Sequence, residues 1–407
     1  EIGVATVWTT QEPSEELRRV RAAVVDPSTT PVPQIEGWEG REELSNGTRR
    51  VFFGEYRTPI FQAGEPPYLE EGGFVVDASG TPQRQRWESV PFTIVVPSAV
   101  APAHRVLVWS DGTGASRTGF LSSGLVGKAL AAGFVVAKFE PQFHAERAVN
   151  GSDAVLHSFN FLNPVSGRTV FRQQAVDTAY FVRVLREALP RQAELPVLDT
   201  SSLVYGGHSQ GAIVGAIVAG VETEFVAYFL NGVGAYLSST VVERKDPVDV
   251  PQLVASLAGV SVATLEVDHP VVQLMQLCAE PVDPENYAAS WRGVAGAPRG
   301  AHVFLSNGAR DATTPVRSID AMMLSGWVSP LAGEGWDPDP FSVAELPALP
   351  GPIAGNTQSM AAEPLTIAGL LSSETGHFTV QDRPEVQDAA VRFFVESLVA
   401  APSVDLD

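Results

Sequence analysis

The strongest chemical signal in the chain is a serine set between glycines, Gly207-His208-Ser209-Gln210-Gly211. A serine hydroxyl is a weak nucleophile at neutral pH and needs a general base, which in turn needs an acid to orient it. The five-residue pattern alone is a modest signal in a glycine-rich chain. Its setting sharpens it: Leu203-Val204-Tyr205 reads as a strand ending directly before it, and a helix of small residues reads on from Gln210 to Ala219. Such an elbow strains the serine backbone to φ > 0 and leaves room only for small neighbours. The free N–H groups at the start of the following helix favour negative charge beside the hydroxyl.

The partners are expected later in the chain, acid before base. Of the seven histidines, His377 in Glu374-Thr375-Gly376-His377-Phe378 falls in a turn before the last helix. His302 sits inside a strand pattern and His269 opens a helix in an insert, so His377 is the expected base. The expected acid is Asp311, which follows the strand-like run His302–Leu305, with capping of the helix at Pro315 as its alternative role. Glu266 and Asp268 are weaker choices. An oxyanion hole needs two backbone donors. The N–H of Gln210 is one. The N–H of Thr113, in the loop Ser110-Asp111-Gly112-Thr113-Gly114, is the other. That loop lacks the Lys-Ser/Thr ending of a phosphate-binding loop.

These groups need a scaffold, and apolar runs of strand length supply one. Phe92–Val96, Arg105–Trp109, Phe134–Phe139, Leu203–Tyr205, Phe225–Leu230 and His302–Leu305 alternate with helical patterns at 119–132, 171–189, 210–219 and 384–398. This alternation predicts a mostly parallel sheet covered on both faces, with the site at the strands' C-terminal edge. Residues 1–90 read as an irregular extension with strands at Val51–Tyr56 and Gly73–Val76. Residues 91–235 and 299–407 read as the catalytic core, and 236–298 as a helical insert, either a lid or a packed cap. A Pro/Gly-rich loop covers Trp327–Glu363.

Composition narrows the function classes. The net charge of −20 is the opposite of a nucleic-acid footprint. No run of 18 apolar residues is present, so no membrane span is expected. The single cysteine, Cys278, excludes an intrachain disulfide and reads as core. Asn46 and Asn150 each begin an Asn-Gly-Thr/Ser triplet and are read as turns. The chain opens at Glu1 without Met, as expected after removal of a leader or after trimming.

From about Pro91 to Val399 the chain resembles the α/β-hydrolase superfamily, and within it the bacterial exported lipases and esterases of the virulence-factor-lipase type. The resemblance rests on Asp111-Gly112-Thr113-Gly114, Phe159-Asn160-Phe161-Leu162-Asn163-Pro164, Arg172-Gln173 and Gly207–Gly211. Asp268-His269-Pro270, Glu280-Pro281, Asp311 and Gly376-His377 complete it. It implies hydrolysis of carboxylic esters, whether small, lipid or polymeric. It also implies no metal or other cofactor, and an envelope or extracellular address. In such enzymes the oxyanion loop commonly begins His-Gly. Here Asp111 precedes Gly112, a costly charge unless it turns away or is paired. Asp111, Gly112 and His208 are expected on the substrate side. His144 either lines the pocket or sits in a solvated loop, and Phe159 and Phe161 either form an acyl wall or pack the loop. An acyltransferase, a peptidase and a catalytically silent lipid- or surface-binding protein remain as rival readings.

Overall fold

The computed structural model describes residues 12–42, 49–149, 151–192, 194–293, 300–333, 335–336 and 338–406. Asn46, Asn150 and the end of the expected insert, 294–298, lie outside these residues. The main sheet contains β1 (Ile35–Glu42), β2 (Arg49–Ile60), β3 (Arg86–Pro97), β4 (His104–Ser110), β5 (Phe134–Phe139), β6 (Leu198–His208), β7 (Phe225–Asn231), β8 (His302–Gly308) and β9 (Ser329–Pro330). A further strand, Ile367–Ser372, lies between β8 and β9, so the order is β1-β2-β3-β5-β4-β6-β7-β8, then Ile367–Ser372, then β9. The first four neighbours pair antiparallel, and every pair from β5 onward is parallel.

The parallel strands are buried on both faces, as their unbroken apolar runs require. One face is covered by α1 (Glu15–Val25), α4 (Pro164–Arg183) and α5 (Gln210–Val221). The other is covered by α2 (Gly124–Ala131) and the C-terminal helix Pro384–Ser397. The short α3 (Ala154–Phe159) precedes α4. The Asn163 side chain caps α4 by accepting from the Ser166 N–H, and Pro164 occupies its first turn, so the helix begins seven residues before the expected Phe171.

Three features differ from the sequence reading. The N-terminal segment is more regular than expected. Leu17, Val20 and Val24 bury one stripe of α1 against the core, and β2 runs unbroken through twelve residues of pairing with β3. Phe74 and Val76 make only isolated bridges, to Gln62 and Pro82. The strand Ile367–Ser372 was hidden because Ala368 and Gly369 weaken its apolar signal, although all six residues are buried.

Between β7 and β8 lie α6 (Leu237–Glu243), α7 (Val250–Ala258), α8 (Pro270–Ala279) and α9 (Glu285–Ala288). Val241, Val250, Val254, Leu265 and Val272 give this segment a small core of its own. The buried Asp283 carboxylate accepts from the N–H groups of Tyr236 and Leu237, 3.0 and 2.8 Å away, and so fixes the start of α6. Cys278 is half-buried on α8 beside the exposed Leu277, not in the core. No helix among the described residues is long and apolar enough to cross a membrane.

Candidate active site

Ser209 stands at the end of β6 with φ 54° and ψ −119°, a conformation that costs an L-residue roughly 1–3 kcal/mol. The surrounding backbone enforces it. A Cβ on Gly207 would lie 2.5 Å from the Gly211 carbonyl oxygen, and one on Gly211 would lie 2.1 Å from that of Ser110. The two glycines therefore let α5 start directly beneath the loop that follows β4. The Ser209 N–H donates to the Asn231 carbonyl at 2.8 Å, which ties the elbow to β7.

Because these strands are parallel, β4, β6, β7, β8 and the Ile367–Ser372 strand all end at one edge. There the structure brings Ser209, Asp311 and His377 together. His377 Nε2 lies 2.8 Å from Ser209 Oγ, and His377 Nδ1 lies 2.7 Å from Asp311 Oδ2. The Asp311 side chain is fully buried. Its other oxygen accepts the N–H groups of Thr313 and Thr314, both at 2.7 Å. Orienting the imidazole and capping the following turn are thus two oxygens of one carboxylate. The His377 turn is clamped against β8, where a Cβ on Gly308 would sit 2.3 Å from the Gly376 carbonyl oxygen. Asn231 Nδ2 donates to the His377 carbonyl at 3.1 Å, and Asn231 Oδ1 accepts from the Val380 N–H at 3.0 Å.

Asn231 was missed in the sequence, where it reads only as the polar end of a strand. Gln174 was missed too. Gln210 Oε1 accepts from the Thr113 hydroxyl at 2.8 Å, Gln210 Nε2 donates to Gln174 Oε1 at 3.0 Å, and Gln174 Nε2 donates to Ser110 Oγ at 3.2 Å. This buried chain fastens the loop after β4 to α5 and α4. It holds in place the two residues whose N–H groups, Thr113 and Gln210, have no acceptor among the described residues. Gly112 packs directly on Ser209, since a Cβ there would meet Ser209 Cβ at 3.0 Å.

Other expectations need correction. Asp111 does not face the substrate side. Its carboxylate accepts from Trp109 Nε1 at 2.6 Å and forms an ion pair with the buried Lys138, so its charge is paired within the protein. His208 lies beside His377, with ring centroids 5.0 Å apart, and its Nδ1 is bonded by Asn231 Nδ2 at 2.8 Å. Burial, then the neighbouring His377, pushes the His208 imidazole down to about 4. His144 is neither in the Ser209 cavity nor solvated. It is buried, with Nδ1 held 2.7 Å from the Gln142 carbonyl, and burial lowers it to about 4. His302 accepts from the Thr366 N–H at 3.0 Å near the opposite edge of the sheet, and His269 caps α8. Glu266 and Asp268 are exposed in the turn before α8.

A cavity of about 130 Å³ opens at Ser209. Phe159, Phe161, Phe171, Ile213, Val241 and Met275 contribute apolar walls, so the two phenylalanines read from the sequence do face it. Their rings stack with centroids 6.3 Å apart. Arg168 and Arg244 line the same space.

No protein-family model matches the chain, and no curated protein matches it. Solved structures do. An acetyl xylan esterase from Paenibacillus sp. R4 superposes with a TM-score of 0.54 at 14% identity, covering 96% of each chain. Acetyl xylan esterase 1 from Thermoanaerobacterium sp. JW/SL YS485 superposes with a TM-score of 0.55 at 13% identity, also covering 96% of each chain. Together with the strand order, these similarities show that the chain has the α/β-hydrolase fold.

Proposed function

We propose that this protein is a serine hydrolase of carboxylic esters, acting through Ser209, His377 and Asp311 and an acyl-enzyme intermediate. The observation that carries this reading is the continuous hydrogen-bonded path from Ser209 Oγ through both imidazole nitrogens to Asp311, at 2.8 and 2.7 Å. In this mechanism Ser209 attacks the ester carbonyl while His377 Nε2 takes the hydroxyl proton. The Asp311 carboxylate keeps Nδ1 protonated and steadies the imidazolium. The Thr113 and Gln210 N–H groups receive the developing oxyanion, where such donors are each worth roughly 3–4 kcal/mol. His377 then returns the proton to the departing alcohol, and a water molecule, activated by the same imidazole, releases the acid.

Two further observations support an ester substrate. The walls at Ser209 are largely apolar, in keeping with the likeness to exported lipases and esterases, and the two similar structures bear the name acetyl xylan esterase. The test is covalent labelling with a fluorophosphonate, paired with turnover of p-nitrophenyl acetate and butyrate. Labelling at Ser209 with ester turnover, both lost in Ser209→Ala, is the expected result. Turnover that survives this substitution would sink the assignment. A silent binding protein of the same fold would leave the probe unreacted.

A further inference from the structure

Four arginines are buried among the described residues: Arg147, Arg172, Arg183 and Arg244. Arg147 pairs with Glu88 and Asp177, Arg172 with Glu16, and Arg183 with Glu187. Arg244, only 6% exposed, has no ion-pair partner within 4.0 Å among the described residues. Its Nε donates to the Asp246 carbonyl at 3.2 Å, and its two terminal nitrogens have no acceptor there. The guanidinium lies 4.6 Å from the centre of the Phe159 ring and lines the cavity that holds Ser209. The nearby Asp311 and Asp246 carboxylates offset part of its charge from a distance, but neither forms an ion pair with it, and Asp311 is turned to His377, Thr313 and Thr314. Arg168 lines the same cavity. One of its terminal nitrogens donates to the Cys278 carbonyl at 3.3 Å, and its Nε is buried without a partner.

A guanidinium withdrawn from water without an anion is costly, and arginine stays charged rather than giving up its proton. Burial pulls both arginines below their ordinary values, with Arg172 adding repulsion at Arg168. The other buried arginines answer this cost with protein carboxylates. At Arg244 the missing partner faces the substrate space, where a ligand carboxylate would receive two parallel N–H donors.

We infer that the preferred substrate is an ester carrying a free carboxylate a few bonds from its scissile carbonyl, received by Arg244 with Arg168 as the second cation. This inference rests on the ester-hydrolase reading and narrows it. For a half-ester of a dicarboxylic acid, Ser209 displaces the alcohol to form the acyl-enzyme, and water then cleaves that acyl bond to release the acid. The products are the alcohol, the dicarboxylate and one proton.

The experiment compares molecules of one skeleton by proton release in a pH-stat. Monomethyl glutarate against dimethyl glutarate places the charge on the acyl side. O-acetylglycolate against its methyl ester places it on the alcohol side. In the wild-type protein the kcat/KM ratio of charged to neutral ester should exceed about tenfold in one of the two pairs, the size expected of a charge-assisted hydrogen bond. In Arg244→Gln that ratio should collapse towards one, and Arg244→Lys should recover part of it. Ratios that stay below about tenfold in both wild-type pairs overturn the inference, and the neutral esters' turnover then leaves the hydrolase reading standing. Should the glutamine variant misfold, the wild-type ratios still decide. Absence of fluorophosphonate labelling and of any ester turnover removes the hydrolase reading instead. Calorimetric binding of free glutarate, present in wild type and lost in Arg244→Gln, then retains the anion site, and its absence ends that too.

Discussion

The sheet edge beneath Ser209 and the helical segment above it are built on different principles. Below, backbone meets backbone. Glycines 207, 211 and 308 admit carbonyl oxygens where any side chain would collide, and Asn231, Gln174 and Asp311 spend their hydrogen-bonding groups on neighbouring elements. Above, apolar side chains meet around a small core, with Asp283 holding the start of α6, and Leu274 and Leu277 remain 63% and 59% exposed on α8. On the proposed reading the edge sets where bonds break, and the upper segment shares in what fits. Substitutions at the edge should be severe and local to chemistry. Those above should be mild, or specific to one substrate.

The largest effect expected is on turnover. Ser209→Ala should lower kcat by about 10⁴–10⁶, as in other serine triads, with the melting temperature nearly unchanged. Ser209→Gly sharpens the comparison further. It removes the same hydroxyl but relieves the positive φ, a gain of roughly 1–3 kcal/mol set against a glycine entropy cost of about 0.5–1 kcal/mol. The glycine variant should therefore melt at or above the alanine variant in a thermal scan. If it melted clearly lower, the strain argument for the elbow would be wrong.

Next comes the backbone contact itself. Gly211→Ala places a carbon 2.1 Å from the Ser110 carbonyl, a backbone atom that cannot swing aside. The loop carrying Thr113 must move, so this variant should lose about 3 kcal/mol or more in denaturant unfolding, and ester turnover with it. A variant of wild-type stability and activity would show that the close approach between elbow and loop is not required.

Acid should weaken the edge through its buried imidazoles. His208 and His144 both titrate near 4 when folded, against about 6.5 in the unfolded chain. The unfolded chain thus takes up protons first on acidification. The stabilising contribution is complete above about pH 6.5 and is lost as the pH falls towards 4, at up to about 3 kcal/mol for each ring. Melting temperatures measured across that window should fall more gently in His144→Gln than in wild type. Parallel curves for the two proteins would count against a buried neutral His144.

Much of this arrangement was legible in the sequence because its causes are local. Gly-x-Ser-x-Gly between a strand and a small-residue helix describes a single turn, Asp311 follows a strand-length run closely enough to be placed at its end, and His377 falls in a turn just before the last helix. The second layer was not legible. Asn231, Gln174 and Lys138 act across pairs of elements far apart in sequence, so nothing around them distinguishes a satisfied core polar group from a solvated one. Asp111 shows the limit well. Its neighbours predict an awkward charge, and only the fold reveals that Lys138 and Trp109 pair it within the protein. The Ile367–Ser372 strand was lost for a different reason. Paired along its whole length with β8, this buried strand needs little apolar length of its own, and its glycine is tolerated where Met323 packs over it.

A smaller effect separates positioning from chemistry. Gln174→Ala leaves Ser209, His377 and Asp311 untouched but breaks the chain from Gln210 to Ser110. The Thr113 and Gln210 N–H groups would then be aimed less well at the oxyanion. Since removing a whole donor costs about 10²–10³ in kcat, loosening both should cost roughly 10–10². Steady-state kinetics should show the loss in kcat with KM little altered. A rise in KM alone would place Gln174 in substrate binding instead.

The smallest effect belongs to the upper segment and closes the contrast. Leu274 and Leu277 project from α8 into solvent, so exchanging them for serine removes little buried area. Serine is also a weaker helix former than leucine by only a few tenths of a kcal/mol per site. The double substitution should therefore shift unfolding by about 1 kcal/mol or less and leave hydrolysis of short, water-soluble esters near wild type. The same two positions sit on the helix that supplies Met275 and Ala279 to the cavity wall. Emulsified esters, which must be met at an oil–water surface before entering that cavity, offer the sharper measurement. If exposed leucines aid that encounter, activity on emulsions should drop while soluble-ester activity holds. If both activities fall together, α8 is coupled to the edge more tightly than its exposed face implies.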